Sequence, residues 1–325
     1  MSHYTRVDLL KYICSIGIIC IHTNPFVTVA QLDNYFLHLE PIFVAMFFII
    51  SSSLLWQKLR QDKEDAVCLR HYVSRLLILV CVWGILLLPH WLPKFIHHNK
   101  ETWIAYLLPK ILMNGFTQGS WFIMSLIYGV LICYLLNKYL NRHLVFGLCA
   151  SLWLYLSLVY YDGMPDILNI YYEKPDDSFG FESYYSPFRS LFWIEAGYYL
   201  VPSLSKYISN HTTNIVTLIC LVLVGVINHG YFVADGVISI LLSAWAMRDP
   251  QDVPDARFVI LRQMSIVVFF FHFLLVTIIH VLFLKGMIGY EHGFTIFLAV
   301  FLISNTIAYG IIRLSKRIRI LAYLY

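Results

Sequence analysis

Long apolar runs, broken by short clusters of charged and turn-forming residues, recur along the whole chain. Ten of them are long enough to cross hydrocarbon as helices, near residues 8–29, 38–57, 72–91, 119–137, 143–161, 187–202, 213–229, 232–247, 264–284 and 293–313. Such a crossing takes about 17–25 mainly apolar residues. A further segment, 103–116 (WIAYLLPKILMNGF), is apolar but short and holds Pro109, and is expected to be a re-entrant or interfacial piece. There is no internal repeat and no low-complexity run. The pattern predicts an all-α, polytopic bundle of about ten transmembrane helices, with residues 1–325 forming a single transmembrane domain.

Composition strengthens this reading. The 325 residues are 59% hydrophobic and 13% charged, whereas a soluble domain carries about 25% charged residues. No stretch is polar enough to form a soluble domain. The first run lacks a small-residue cleavage site behind it and is expected to stay as a helix. With the N-terminus inside, all of the 23 Lys and Arg fall on the inner side except Lys94, Lys100, Lys110, Lys174, Arg189 and Lys285. The positive-inside rule then makes both termini cytoplasmic. The net charge of +4 reflects this asymmetry and does not point to nucleic acid. The basic tail RLSKRIR reads as a topology anchor in contact with lipid headgroups. Cys14, Cys20, Cys68, Cys81, Cys133, Cys149 and Cys220 fall in spans or on the inner side without metal-type spacing, so they read as free thiols filling apolar space. His90, His97 and His98 also lack the spacing of a metal site, and no metal is expected.

Candidate chemistry begins in the first run, RVDLLKYICSIGIICIHT (6–23). On a helix, Lys11 and His22 project within about 20° of each other, separated by about 16 Å of rise. Asp8 and Ser15 fall on the same side. A polar stripe of this kind in a membrane helix faces the bundle interior or a water-filled cavity. Read separately, Lys11 snorkels to the inner headgroups, Asp8 serves the first helical turn, and His22 is a buried ring satisfied by a carbonyl. Read together, the stripe joins a cationic inner mouth to an imidazole able to exchange a proton near neutral pH. Other apolar runs hold Arg189 and Glu195 (FRSLFWIEAGYY), His272 (FFFHFLL) and Ser51, each readable as a helix-knitting polar group or, for Ser51, a hydroxyl bonded to its own backbone. The outer loop 161–187 interleaves tyrosines with Asp162, Asp166, Glu173, Asp176, Asp177 and Glu182. This suits either sugar binding or an acidic loop with an interfacial tyrosine belt.

Lys-x10-His in the first run, with Asp8 three residues before the lysine, resembles the first-span pattern of the membrane-bound acyltransferase-3 family. FFIISSSLLW (47–56) resembles its Phe-Phe-x-x-Ser-Gly stretch, with Ser52 at the glycine position. HYVSRLLIL (71–79) is similar to its basic approach to span three, with Arg75 present and Ile78 where a second arginine is usual. SWFIMSLIYGVL (120–131) resembles its Leu-Trp-Phe span, preceded here by Gly119 instead of histidine. SIVVFFFH (265–272) resembles a late Ser…His segment, with Phe269 where tyrosine is frequent. In size and layout the chain resembles stand-alone members without a fused extracellular domain, among them the enterobacterial common antigen O-acetyltransferase type and the succinyltransferases of exported poly-glucosamine synthesis.

The resemblance implies transfer of an acyl group, commonly acetyl, from cytoplasmic acyl-CoA to a surface glycan or lipid-linked sugar, with His22 as catalytic histidine and Lys11 as its basic partner. Glu195 and Ser51 are expected to assist, the first by orienting His22 or pairing with Arg189, the second by donating a hydrogen bond. CoA phosphates call for cations at the inner mouth, for which Lys11, Lys58, Arg70 and Arg75 qualify. Arg189, His272, Trp121 and Asp8 are expected on the acceptor side. The expected location is a bacterial cytoplasmic membrane. Two competing readings are an exporter of polysaccharide or lipid-linked sugar, and an inactive relative acting as a scaffold. Neither paired broken helices in two halves nor a repeat supports the exporter.

Overall fold

A computed structural model describes residues 3–61, 65–88, 111–112, 115–116, 119–162, 187–207, 215, 218, 232–284 and 292–325. Nearly all of the expected span 213–229, most of the segment 103–116, nearly all of the acidic loop, Cys220, and His90, His97 and His98 lie outside them. The helices are α1 (Thr5–Thr23), α2 (Ala30–Gln61), α3 (Asp65–Leu86), α4 (Ser120–Tyr139), α5 (Arg142–Asp162), α6 (Pro187–Tyr199), α7 (Val201–Tyr207), α8 (Phe232–Ala246), α9 (Ala256–Leu284) and α10 (Gly293–Ser315), followed by a 3-10 turn at Arg319–Leu324. Among the described residues the only β-type pairing is an isolated bridge between His3 and Gln251. Among the described residues five segments are long and apolar enough to cross a membrane: Pro41–Arg60, Asp65–Leu86, Ser120–Tyr139, Ala256–Ile279 and Gly293–Ser315. The protein is therefore an all-α, multi-pass membrane protein. In a bilayer this architecture pairs backbone N–H and C=O groups within each segment.

Helix ends differ from the hydropathy boundaries where local chemistry intervenes. α1 stops at Thr23, six residues short of the expected 29, because Asn24 adopts the left-handed conformation (φ 44°) and returns its N–H to the Cys20 carbonyl at 3.0 Å. Asparagine tolerates that conformation, and the following Pro25 opposes a helical residue before it. His22 is thereby left on the last turn. α9 starts at Ala256, earlier than the expected 264, because the Asp255 carboxylate accepts from the Arg257 backbone N–H at 2.9 Å. That bond and those from the Arg257 guanidinium hold the Asp255 carboxyl below the usual carboxylate range. The expected run 187–202 breaks between α6 and α7, next to Pro202.

The chain divides into two compact units, the first of residues 1–47, 81–90 and 204–325, the second of residues 48–80 and 91–203. In the first, α1 packs along α9 and also meets α8 and α10, while α9 packs on α10. Gly17 permits close approach: a Cβ there would lie 2.6 Å from the Phe43 ring. The Tyr12 hydroxyl donates to Asn305 Oδ1 at 2.7 Å. Trp83 stacks on Phe270 with ring centroids 5.1 Å apart and donates its indole N–H to the Leu324 carbonyl at 3.1 Å. Arg6 pairs with Asp249 at 2.9 Å, and with the His3–Gln251 bridge this ties the start of α1 to the α8–α9 loop. Both segments were expected on the cytoplasmic side.

In the second unit α4 and α5 each pack on α6. Trp153 stacks on Phe192 at 4.4 Å, and Phe48 meets Phe122 at 4.5 Å. The serine-rich stretch of α2 lies directly on Gly197: a Cβ there would collide with Ser52 Oγ and crowd the Ile49 carbonyl, and Ser53 Oγ donates to the Gly197 carbonyl at 2.7 Å. Ser52, at the family's glycine position, is thus part of a helix-packing contact. Replacing Gly197 by Ala should lower the thermal midpoint in detergent, with a cost of about 1–3 kcal/mol for overpacking. Gly147→Ala, where an added Cβ meets nothing within 4 Å, should leave the midpoint unchanged or raise it slightly.

Candidate active site

The polar stripe of α1 faces inward over its first half. Asp8 and Ser15 are buried, Lys11 is half-buried and His22 is exposed on the last turn. The Asp8 carboxylate forms an ion pair with Arg262 of α9 at 3.7 Å, and Lys11 adds positive charge near it. Arg262 was not singled out from the sequence, where it is one basic residue ahead of an apolar run. Ser15 Oγ donates to the Tyr12 carbonyl at 2.7 Å, the self-contained bonding expected of a serine inside a helix.

At the far end of the same helix pair two histidines meet. The ring centroids of His22 and His272 are 5.4 Å apart with planes tilted by 30°. His22 also lies 4.9 Å from the Phe273 ring. His272 is fully buried, with Nδ1 3.1 Å from the Val268 carbonyl and Nε2 without a hydrogen-bond partner among the described residues. Asp8 meets Arg262 and, further along both chains, His22 meets His272, so α1 and α9 run parallel. One imidazole is open to its surroundings and the other is locked behind it.

The second unit holds the remaining expected residues. Lys58 at the end of α2 and Arg70 and Arg75 on α3 are exposed. Ser51 and Trp121 are half-buried, and the Arg189 side chain lies outside the described residues. Glu195, expected to orient His22 or pair with Arg189, is fully buried and accepts from Asn137 Nδ2 at 2.9 Å. The same Nδ2 donates to the Cys133 carbonyl, while Glu195 Oε1 and Asn137 Oδ1 have no hydrogen-bond partner among the described residues. Sequence reasoning gave no sign of Asn137, since the partners lie on different helices. It also passed over Asp235, a buried carboxyl on α8, although a single acid in FVADGVISILLSAWA was visible.

The residues of this arrangement fall within a match to a family model for the acyltransferase domain of the acyltransferase-3 type, which covers residues 4–313. The chain belongs to that family. The match runs through both units and includes Lys11, His22, Glu195 and His272. Family membership makes this multi-pass chain a membrane acyltransferase in the general sense. Neither curated proteins nor solved structures give a match.

The buried Glu195–Asn137 pair yields a stability test. Asn137→Leu removes a donor and leaves a buried carboxyl uncompensated, a loss of about 1–3 kcal/mol. The double variant Asn137→Leu/Glu195→Leu removes both partners. Its thermal midpoint should lie above that of Asn137→Leu alone; a lower midpoint would mean that Glu195 has stronger partners than Asn137.

Proposed function

We propose that the protein moves an acyl group, acetyl in the first instance, from cytoplasmic acyl-CoA to a hydroxyl of a cell-surface glycan or lipid-linked saccharide, in a bacterial cytoplasmic membrane. The observation that carries this reading is the exposed imidazole of His22 on the last turn of α1, backed by a buried second imidazole, in a chain of the acyltransferase-3 family. A thioester is already activated, so transfer needs a base for the acceptor hydroxyl and stabilisation of the tetrahedral oxyanion. His22 takes the hydroxyl proton as the oxygen attacks the acyl carbonyl. The tetrahedral intermediate then collapses, the C–S bond breaks, and the departing thiolate recovers the proton from the imidazolium. Ester and free CoA thiol result, and no net proton is consumed.

The donor and acceptor sides follow from charge. CoA phosphates stay out of hydrocarbon and call for cations; Lys11 on α1 is assigned to them, and Lys58, Arg70 and Arg75 supply basic charge within the second unit. The slim pantetheine arm then carries the thioester toward His22. Within the second unit Ser51 is assigned as a hydrogen-bond donor, Glu195 as a supporting carboxyl, and Trp121 and Arg189 as groups that bind the acceptor; in the first unit His272 stands behind His22. Asp8, paired with Arg262, supports the site by fixing the start of α1.

The test is binding and turnover of acetyl-CoA by purified protein with a crude glycan extract. Wild type should bind the donor and release CoA. His22→Ala should bind with unchanged affinity while turnover falls by about 10²–10⁴-fold, the usual contribution of a general base. Lys11→Ala should bind about tenfold more weakly, about 1.4 kcal/mol. Absence of both binding and turnover in wild type would overturn the transferase reading, and donor-independent glycan flux into proteoliposomes would favour the exporter.

A further inference from the structure

The His22–His272 contact holds more information than proximity. A carbonyl oxygen only accepts hydrogen bonds, so the 3.1 Å approach of His272 Nδ1 to the Val268 carbonyl makes Nδ1 the protonated nitrogen. In a singly protonated ring, Nε2 then carries a bare lone pair. That atom is fully enclosed and has no partner among the described residues. A buried acceptor left unpaired is costly, and a histidine serving only to satisfy one carbonyl has no use for it. The ring cannot readily turn to find another partner. Phe273 packs against it with centroids 4.1 Å apart, and Phe269 closes its edge at 6.2 Å. The nearby polar ring is that of His22, at 5.4 Å and exposed, so it has room to rotate.

We infer that His272 is a positioning residue whose Nε2 accepts a hydrogen bond from one ring N–H of His22, holding His22 in a single tautomer with its other nitrogen's lone pair directed to the open side. The inference rests on the proposed role of His22 as a base and supplies what that role requires. A neutral imidazole has one N–H and one lone pair, and only the tautomer with the lone pair toward the acceptor hydroxyl can take its proton. In hydrolases a carboxylate sets that tautomer. Here a neutral acceptor does so: the Val268 carbonyl draws on Nδ1–H, and the polarised ring accepts more strongly at Nε2. No bond is made or broken at His272, whose proton stays on Nδ1 throughout. The function assigned to this buried ring thus shifts from touching the acceptor to orienting the ring that does.

The test reads the tautomers directly. Protein carrying 15N-labelled histidine is placed in lipid nanodiscs, and the ring nitrogens of His22 and His272 are assigned by the signals lost in His22→Ala and His272→Phe. Wild type should show His272 protonated at Nδ1 and His22 in one tautomer. In His272→Phe, which fills the space without an acceptor, the His22 signals should become those of a tautomer mixture. Acetyl-CoA turnover should then fall by about a hundredfold or more, with KM for the donor unchanged. His272→Gln, whose amide oxygen can stand near the Nε2 position, should restore a single His22 tautomer and much of the turnover. Should His272→Phe fold poorly, His272→Leu gives the same comparison against His272→Gln. An unchanged His22 tautomer in either variant that lacks an acceptor, at wild-type melting temperature, overturns the inference. A tautomer shift in a protein whose wild type never turns over acetyl-CoA would uphold the histidine pair and overturn the proposed reaction.

Discussion

The lengthwise packing of α1 on α9 is the contact on which the first unit depends. It is anchored by charge at one end, where Asp8 meets Arg262, and by imidazole rings at the other, where His22 meets His272. Between these points Cys14 and Ile18 on α1 and Val267 and Val268 on α9 are buried. In hydrocarbon there is no bulk water to compensate a misplaced polar group, so polar residues have to find partners within the protein. The shape of the contact therefore follows from where its few polar side chains can be satisfied.

Serines show how this constraint is met at little cost. Ser15, Ser52, Ser265 and Ser315 each donate to a carbonyl three residues earlier in their own helix, and Thr23 does so four residues back. They pass through the apolar interior without needing a neighbour. Carboxyls and imidazoles lack that short-range option. Glu195 is met by Asn137 and Asp8 by Arg262, each from another helix. These longer side chains accordingly specify which helices sit side by side, whereas the serines largely do not.

That difference explains what could be read from the sequence. Helix positions, the polar stripe of α1 and the depth of Glu195 and His272 were legible, because hydropathy and a 3.6-residue repeat report distance along an axis and direction around it. Family membership was legible in Lys11, His22 and the spaced stretches that follow. Neighbours were not. His22 and His272 are separated by 250 positions and Asn137 and Glu195 by 58, and no local rule states which helix faces which. The early end of α1 was missed for another reason: Val27 and Val29 are apolar enough to extend a hydropathy window past Asn24 and Pro25, whose backbone preferences end the helix.

The spacing of Asp8 and His22 has a mechanical meaning. Fourteen residues bring a helix round to within about 40° of its starting direction after nearly four turns. The two side chains thus act as marks on one rigid rod, and α1 cannot swivel at one mark without swivelling at the other. Capture of Asp8 by Arg262 at the start of α1 works as an index pin that sets the azimuth of His22 some 21 Å away. A change of charge at that pin would be felt at the other end of the helix as a misaimed imidazole, with His22 itself unaltered.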